Sequence, residues 1–314
     1  MDKPKATPKD FFLWAGAMLA LYVGTFSFVG LLFDYINYVF KDQALQYYYD
    51  PYQGSISYEM ASLIVLAPVL LILMRIIRNN IQKDPTRSEV WVRRWALFLT
   101  LFVAGATIVV DLIVLINTFL QGEELSARFL LKVLVVLLVA SAGFMHFMAD
   151  LWGYWEKKPQ YARMVSWAVG LLIVLTIAAG FVIIGSPASQ RQLRLDQQRI
   201  SDLQSLQSQI VYYWQQKESL PAQLSDLNDS LSYYTIPFDP ETKEAYVYKR
   251  YSPLDFSLCA TFGTAGPGDQ YGRPVTMPAL YGGVSDKWEH AAGETCFDRS
   301  IDPELYPPNP KGVK

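Results

Sequence analysis

Five apolar runs, each near 20 residues long, fill the first part of the chain, and a polar segment with a different rhythm follows. They run from about Phe11 to Phe33 (with an aromatic continuation to Phe40), Tyr58 to Ile77, Trp95 to Leu120, Phe129 to Trp152 and Met164 to Ile184. A bilayer core roughly 30 Å thick takes about 20 apolar residues as helix. Hydrocarbon offers no partner to a bare backbone, so each run is predicted to be a helix. Lys3, Lys5 and Lys9 precede the first run as they would a signal peptide. Its apolar region is too long for a signal, and no small-residue cleavage site ends it, so it reads as a retained helix.

The polar segment opens on Ser186-Pro187, a side-chain cap followed by a residue tolerated in the first helical turn. Leu193, Ile200, Leu203, Leu206, Ile210 and Tyr213 then mark one face of a helix reaching about Lys217. That stripe either covers a core or pairs two copies as a short coiled coil. Leu220-Pro221, Leu224 and Leu227 predict a short second helix. Asp239-Pro240-Glu241-Thr242 reads as a turn. Ala245 to Tyr251 reads as a strand, with Asp255 to Phe262 as its partner. The remainder, with Gly266-Pro267-Gly268 and Tyr281-Gly282-Gly283, reads as loop.

Basic residues orient the spans. Lys3, Lys5 and Lys9, then Arg75, Arg78, Lys83, Arg87, Arg93 and Arg94, then Lys157, Lys158 and Arg163 fall on one side. The alternate loops hold only Lys41, Arg128 and Lys132. Trp14, Trp91, Trp95, Trp152, Trp155 and Trp167 stand at the basic ends, and tyrosines from Tyr35 to Tyr58 at the other. The expected topology is a plasma-membrane protein with a cytoplasmic N-terminus and an extracytoplasmic C-terminal domain. The division is residues 1–160 as a four-helix membrane domain, 161–186 as a fifth span and 187–314 as the outer domain. The expected fold is thus an α-helical membrane bundle of five helices. An extracytoplasmic α+β domain follows, with a long helix, a small antiparallel sheet and one disulfide.

Composition narrows the function. The chain of 314 residues is 52% hydrophobic, 18% charged and carries a net charge of −2. A pI near 5.8 argues against nucleic acid as a partner. Two cysteines and two histidines leave little for a metal or haem site, and no cofactor is expected. Cys259 and Cys296 fall in the segment placed outside, where disulfides persist. Their bridge would close a loop of 37 residues, worth roughly 3–4 kcal/mol by chain entropy. The rival reading is free thiols, or a metal site with His290.

Ionisable groups inside spans are costly and often functional. Asp111 lies in the outer half of the third span, and Lys132 lies four residues into the fourth from the same side. The short loop between them makes an Asp111–Lys132 ion pair plausible, as a register device or as part of an ion site that Asn117 would help line. His146 and Asp150, at i and i+4, share a face for either a proton relay or an interfacial cap. Asp34 and Glu59 read as interfacial, and Pro68 as a kink. Gly105 with its alanine neighbours, and Gly143 with its own, predict close contact of the third and fourth spans. Trp288 and His290 read as an outer epitope or as a packed plug beside the disulfide. No nucleophile–base pairing, phosphate loop or Cys-x-x-Cys occurs, so the expectation is a protein that is not an enzyme.

Two resemblances add to this. The stretches ATPKDFFLWAGAMLALYV, DPYQGSISYEMASLIVL, VRRWALFLTLFVAG and DLIVLINTFLQGEELSARFLLKVL, between about Ala6 and Ala140, resemble the bacterial membrane family called domain of unknown function 5671. That resemblance implies four spans and an envelope location, and no activity. The outer segment is similar in pattern to the soluble domains of type IV pilins and type II secretion pseudopilins. The shared features are a long helix leaving the membrane, the Leu220–Leu227 element, the Asp239-Pro240 turn, a tyrosine strand and a cysteine pair. Pilins have one processed N-terminal helix, whereas four spans precede this one, so the resemblance implies the fold and not the filament. The reading is an envelope anchor or scaffold in the lipid bilayer, presenting a pseudopilin-like domain to a protein partner or to a second copy. The alternative is a small ion- or proton-coupled transporter component using Asp111 and Lys132.

Overall fold

The computed structural model describes residues 7–40, 55–84, 90–228, 234–266 and 288–309. The predicted loops around Pro267-Gly268 and Tyr281-Gly283, Lys41, and the tyrosines from Tyr47 to Tyr52 lie outside them. The chain divides into two compact units, Met1–Gly185 and Ser186–Lys314.

In the first unit the helices are α1 (Pro8–Val39), α2 (Ser55–Lys83), α3 (Trp91–Leu120), α4 (Ala127–Leu151), the short α5 (Tyr154–Lys157) and α6 (Pro159–Ile184). All except α5 are long and apolar enough to cross a membrane. Thr7 and Asp10 form a reciprocal capping box at the start of α1, with Pro8 in its first turn. Ser126 caps α4 through the Phe129 N–H at 3.2 Å. Pro68 lies inside α2, which continues past it.

Packing in this unit is tight between α1 and α2. A Cβ on Gly16 would meet Leu73 at 3.5 Å, and one on Gly24 would meet Leu66 at 3.9 Å. Leu31, Ile56, Met60, Leu63 and Ile184 form a buried cluster that ties α6 to α1 and α2. Tyr22 of α1 and Thr100 of α3 share a hydrogen bond of 3.0 Å. The predicted close approach of α3 and α4 is uneven. A Cβ on Gly105 would meet Phe144 at 3.7 Å, while one on Gly143 would meet nothing within 4 Å.

The second unit opens with α7 (Pro187–Lys217), capped by Ser186 as the sequence predicts. A 3-10 turn at Leu224–Leu227 replaces the predicted second helix. Strands β1 (Val247–Arg250), β2 (Asp255–Phe262) and β3 (Gly293–Ser300) form an antiparallel sheet in the order β1-β2-β3. β3 corrects the sequence reading, which left this segment as loop. Gly-Glu-Thr-Cys-Phe-Asp-Arg-Ser turns one large apolar residue, Phe297, inward. Its strand character comes from pairing with the buried central strand β2.

The core is built from the α7 stripe. Leu203, Leu206, Ile210 and Trp214 pack with Phe256, Leu258, Phe262, Trp288 and Phe297. Each such side chain contributes about 1.5–3 kcal/mol by leaving water. The stripe therefore covers its own sheet, which answers the coiled-coil alternative. Cys259 and Cys296 lie opposite one another in the β2–β3 register and form a disulfide. That corrects the rival reading, because disulfide sulfurs are not thiolate ligands.

Candidate functional site

Several polar side chains meet inside the first unit, where α1 ends and α2 begins. Asp34 lies five residues before the end of α1, and Glu59 lies four after the start of α2. At 1.5 Å per residue both sit one to two turns in from the same edge, so antiparallel neighbours bring them level. Asp34 is only 8% exposed. The Glu59 carboxyl lies within hydrogen-bonding reach of it. Gly30, one turn before Asp34, makes the room: a Cβ there would overlap Glu59 Oε1. Asp34 Oδ2, Glu59 Oε2 and Asn37 Oδ1 are buried oxygens that no donor among the described residues serves. The sequence reading took Asp34 and Glu59 separately, as interfacial residues; the structure brings them together. The signal was available in their matching depths on consecutive helices.

Two neighbours frame this pair. Tyr35 turns its hydroxyl toward α6 and donates to the Thr176 carbonyl at 2.6 Å. Gly180 of α6 permits this, since a Cβ there would come within 2.7 Å of the Tyr35 hydroxyl. Lys132 of α4 places its ammonium 5.4 Å from the centre of the Phe33 ring and feels the charge of Asp34.

The predicted Asp111–Lys132 ion pair is not formed among the described residues. Lys132 faces α1 instead. Asp111 is buried with Oδ2 lacking a hydrogen-bond partner, and Asn117 is exposed. Helix level was legible from the loop length, but the rotation of each helix about its axis was not. His146 and Asp150 also part company. Asp150 pairs with Arg93 of α3 at 3.5 Å. The His146 ring lies 5.0 Å from that of Trp155, whose indole N–H donates to the His146 carbonyl. That end of α4 is a polar cap, and no hydrogen bond joins the two predicted relay partners.

In the second unit the predicted epitope is interior. Trp288 is 2% exposed and His290 is 8%. His290 stacks on Phe262 with centroids 3.7 Å apart, and Arg299 lies over Trp288 at 4.4 Å. Both residues plug the core beside the disulfide. Burial pushes the His290 imidazole below its ordinary pKa, against the opposing pull of the Ala291 carbonyl and the Asp196 charge.

Sequence reasoning missed the most ordered polar constellation of this unit. Arg199, 3% exposed, donates through Nε to Asp239 at 2.7 Å, through Nη1 to Asp196 at 2.8 Å and through Nη2 to Glu241 at 2.9 Å. Asp196 also accepts from Gly263 N–H, Thr264 N–H and the Thr264 hydroxyl. Asp239 accepts from the Glu241 and Thr242 N–H groups, both at 2.8 Å, which builds the predicted turn. Burial pushes the Asp239 carboxyl up, but the hydrogen bonds from Arg199, Thr242 and Glu241 overcome it and hold the group at about 2. Asp196 is held low in the same way, by Thr264, Gly263 and Arg199 against burial. This set joins α7 to the turn before β1 and to the end of β2. Its geometry is that of a lock, with every guanidinium branch committed.

Residues 10–145 match the family described as a domain of unknown function, DUF5671. The DUF5671 stretch runs from the first turn of α1 into α4. It contains Asp34, Tyr35, Glu59, Asp111 and Lys132, while Thr176 and Gly180 of α6 lie beyond it. No curated protein and no solved structure matches the chain. Beyond the DUF5671 stretch, the fifth long helix and the disulfide-bonded unit rest on the structure alone. Large apolar side chains on the helix surfaces, such as Phe26 at 76% and Trp167 at 80% exposure, suggest a multi-pass membrane protein, since water would not tolerate so much open apolar area.

Proposed function

We propose that this protein is a non-enzymatic envelope anchor: the DUF5671 helices and α6 sit in the plasma membrane and present the second unit, outside the cytoplasm, to a protein partner. One observation carries the reading. The second unit has its own closed core, disulfide and buried ionic lock, and it begins at Ser186, directly after the last apolar helix. A unit so self-contained is built to be displayed. The inside-positive rule supports the orientation, with Arg75, Arg78, Arg93, Arg94, Lys157, Lys158 and Arg163 gathered at one level of the bundle. The pseudopilin-like pattern supports a docking domain, with a long helix lying on a small sheet beside a cysteine pair.

The test is an affinity capture from envelope fractions, comparing the full chain with one ending at Gly185. A partner, or a second copy, that is captured only with residues 186–314 present is the expected result. Capture that is indifferent to those residues overturns the proposal. The second reading, an ion- or proton-coupled component, no longer draws on an Asp111–Lys132 pair. It draws on the Asp34–Glu59 contact.

A further inference from the structure

Two carboxyl groups meet where α1 ends and α2 begins, and none of the described residues supplies the hydrogen that their contact requires. Ionised carboxylates only accept; a hydrogen bond between two of them exists only when one carries a proton. Glu59 reaches Asp34 across the space that Gly30 leaves, and Asp34 is buried with Oδ2 served by no donor among the described residues. Two donors of the described residues nearby are turned elsewhere. The Tyr35 hydroxyl is committed to the Thr176 carbonyl, and the Lys132 ammonium sits over the Phe33 ring. Gly30 and Gly180 are the spaces that let Glu59 and Tyr35 take these positions. Two like charges in contact among apolar helices would repel strongly.

From this we infer that Asp34 and Glu59 form a proton-binding site, holding one proton between them as an acid–carboxylate pair. Binding adds a proton to one carboxylate oxygen, which then donates to the other; release returns it to water, and no other bond changes. The pair drops from two negative charges to one, and Lys132 faces the charge that remains. Among the described residues the other groups around it are few. From α4, Arg128 stands one turn nearer the helix start and repels Lys132. Within α1, Tyr35 faces both carboxyls. From Met164 onward α6 has no titratable side chain, and α3 brings Asp111 in its matching half. This inference stands apart from the presenting role, and either can fail alone.

Infrared difference spectroscopy on the full chain in lipid nanodiscs tests it, with the bulk pH stepped between about 5 and about 9. The wild type is expected to show a protonated-carboxyl band at neutral pH, about one group per chain, that disappears on alkalinisation. Glu59→Gln is expected to lose the band and keep its fold, because the amide donates to Asp34 as the acid did. Asp34→Asn is expected to lose it likewise. The melting temperature of the wild type should fall as pH rises through the titration, and that of Glu59→Gln should not. A wild type without the band at neutral pH overturns the inference, whatever the variants do. So does a band that survives in both variants. A melting temperature that responds to sodium or potassium, with no protonated carboxyl present, assigns the pair to a metal cation and also overturns it.

Discussion

Arg199→Ala removes the centre of the ionic lock and leaves two buried carboxylates short of their main cation. Breaking a buried pair typically costs 3–5 kcal/mol, because the remaining charge is uncompensated. Here the residue left behind is partly served. Asp196 keeps three donors and Asp239 keeps two, which places the loss at the lower end, about 3 kcal/mol. An independent figure agrees in size. A carboxyl held at about 2 against an ordinary 3.8 is worth about 2 kcal/mol to the native state for Asp239 alone. Hydrogen–deuterium exchange of the full chain reads this locally. Amides of α7 and β2 that open with the whole unit should exchange roughly 100-fold faster in the variant, while those of α1 and α2 stay unchanged. The sign with pH follows. Both Asp196 and Asp239 have depressed native pKa values, so their contribution is full above the ordinary carboxyl range and fades as pH falls toward about 2. In Arg199→Ala that acid dependence should flatten. Exchange less than tenfold faster, with unchanged acid dependence, would refute the lock.

Replacing both Cys259 and Cys296 with serine should cost the second unit roughly 3–4 kcal/mol by loop closure, read as faster exchange in β2 and β3. Tyr246→Phe removes the 2.7 Å hydrogen bond from its hydroxyl to Asp202, and a loss of about 1.5–3 kcal/mol is expected for a bond to a charged acceptor, measured by chemical denaturation of the second unit's exchange-protected core. His290 is held neutral by burial, so its native pKa lies below the unfolded one; stability should be full above the ordinary imidazole value and decline as pH falls below it. His290→Phe keeps a ring against Phe262 and should remove that decline, seen as a flatter melting curve between about pH 7 and about pH 5.

Helix count and the boundary between units were legible because both rest on local rules. Apolar length sets the spans, and Ser186-Pro187 sets the start of α7 whatever lies around it. β2 was legible too, since Phe256, Leu258, Ala260 and Phe262 alternate along it. β3 was not, because an edge strand with one inward residue is defined by its partner and not by its own pattern. The polar contacts failed for a related reason. Asp111 and Lys132 were placed at one level by a short loop, but a rotation of each helix decides the pairing, and packing on α1 turned Lys132 away. Asp34 and Glu59 were level by the same argument, and Gly30 supplied the space that a bulkier residue would have closed. Arg199 lies outside the apolar stripe that the sequence marks on α7. Its burial follows from the turn at Asp239, forty residues later in the chain, which no helical periodicity announces.

The measurement closest to the central claim is cysteine labelling in intact cells with a membrane-impermeant thiol reagent, before and after an impermeant reductant. Cys296 lies at the exposed edge of its strand, so it reports access as soon as the Cys259–Cys296 bond opens. The account predicts no labelling before reduction and labelling after it, with the cells still sealed. Labelling that requires permeabilised cells would put the second unit inside, and the presenting role with its orientation would be wrong.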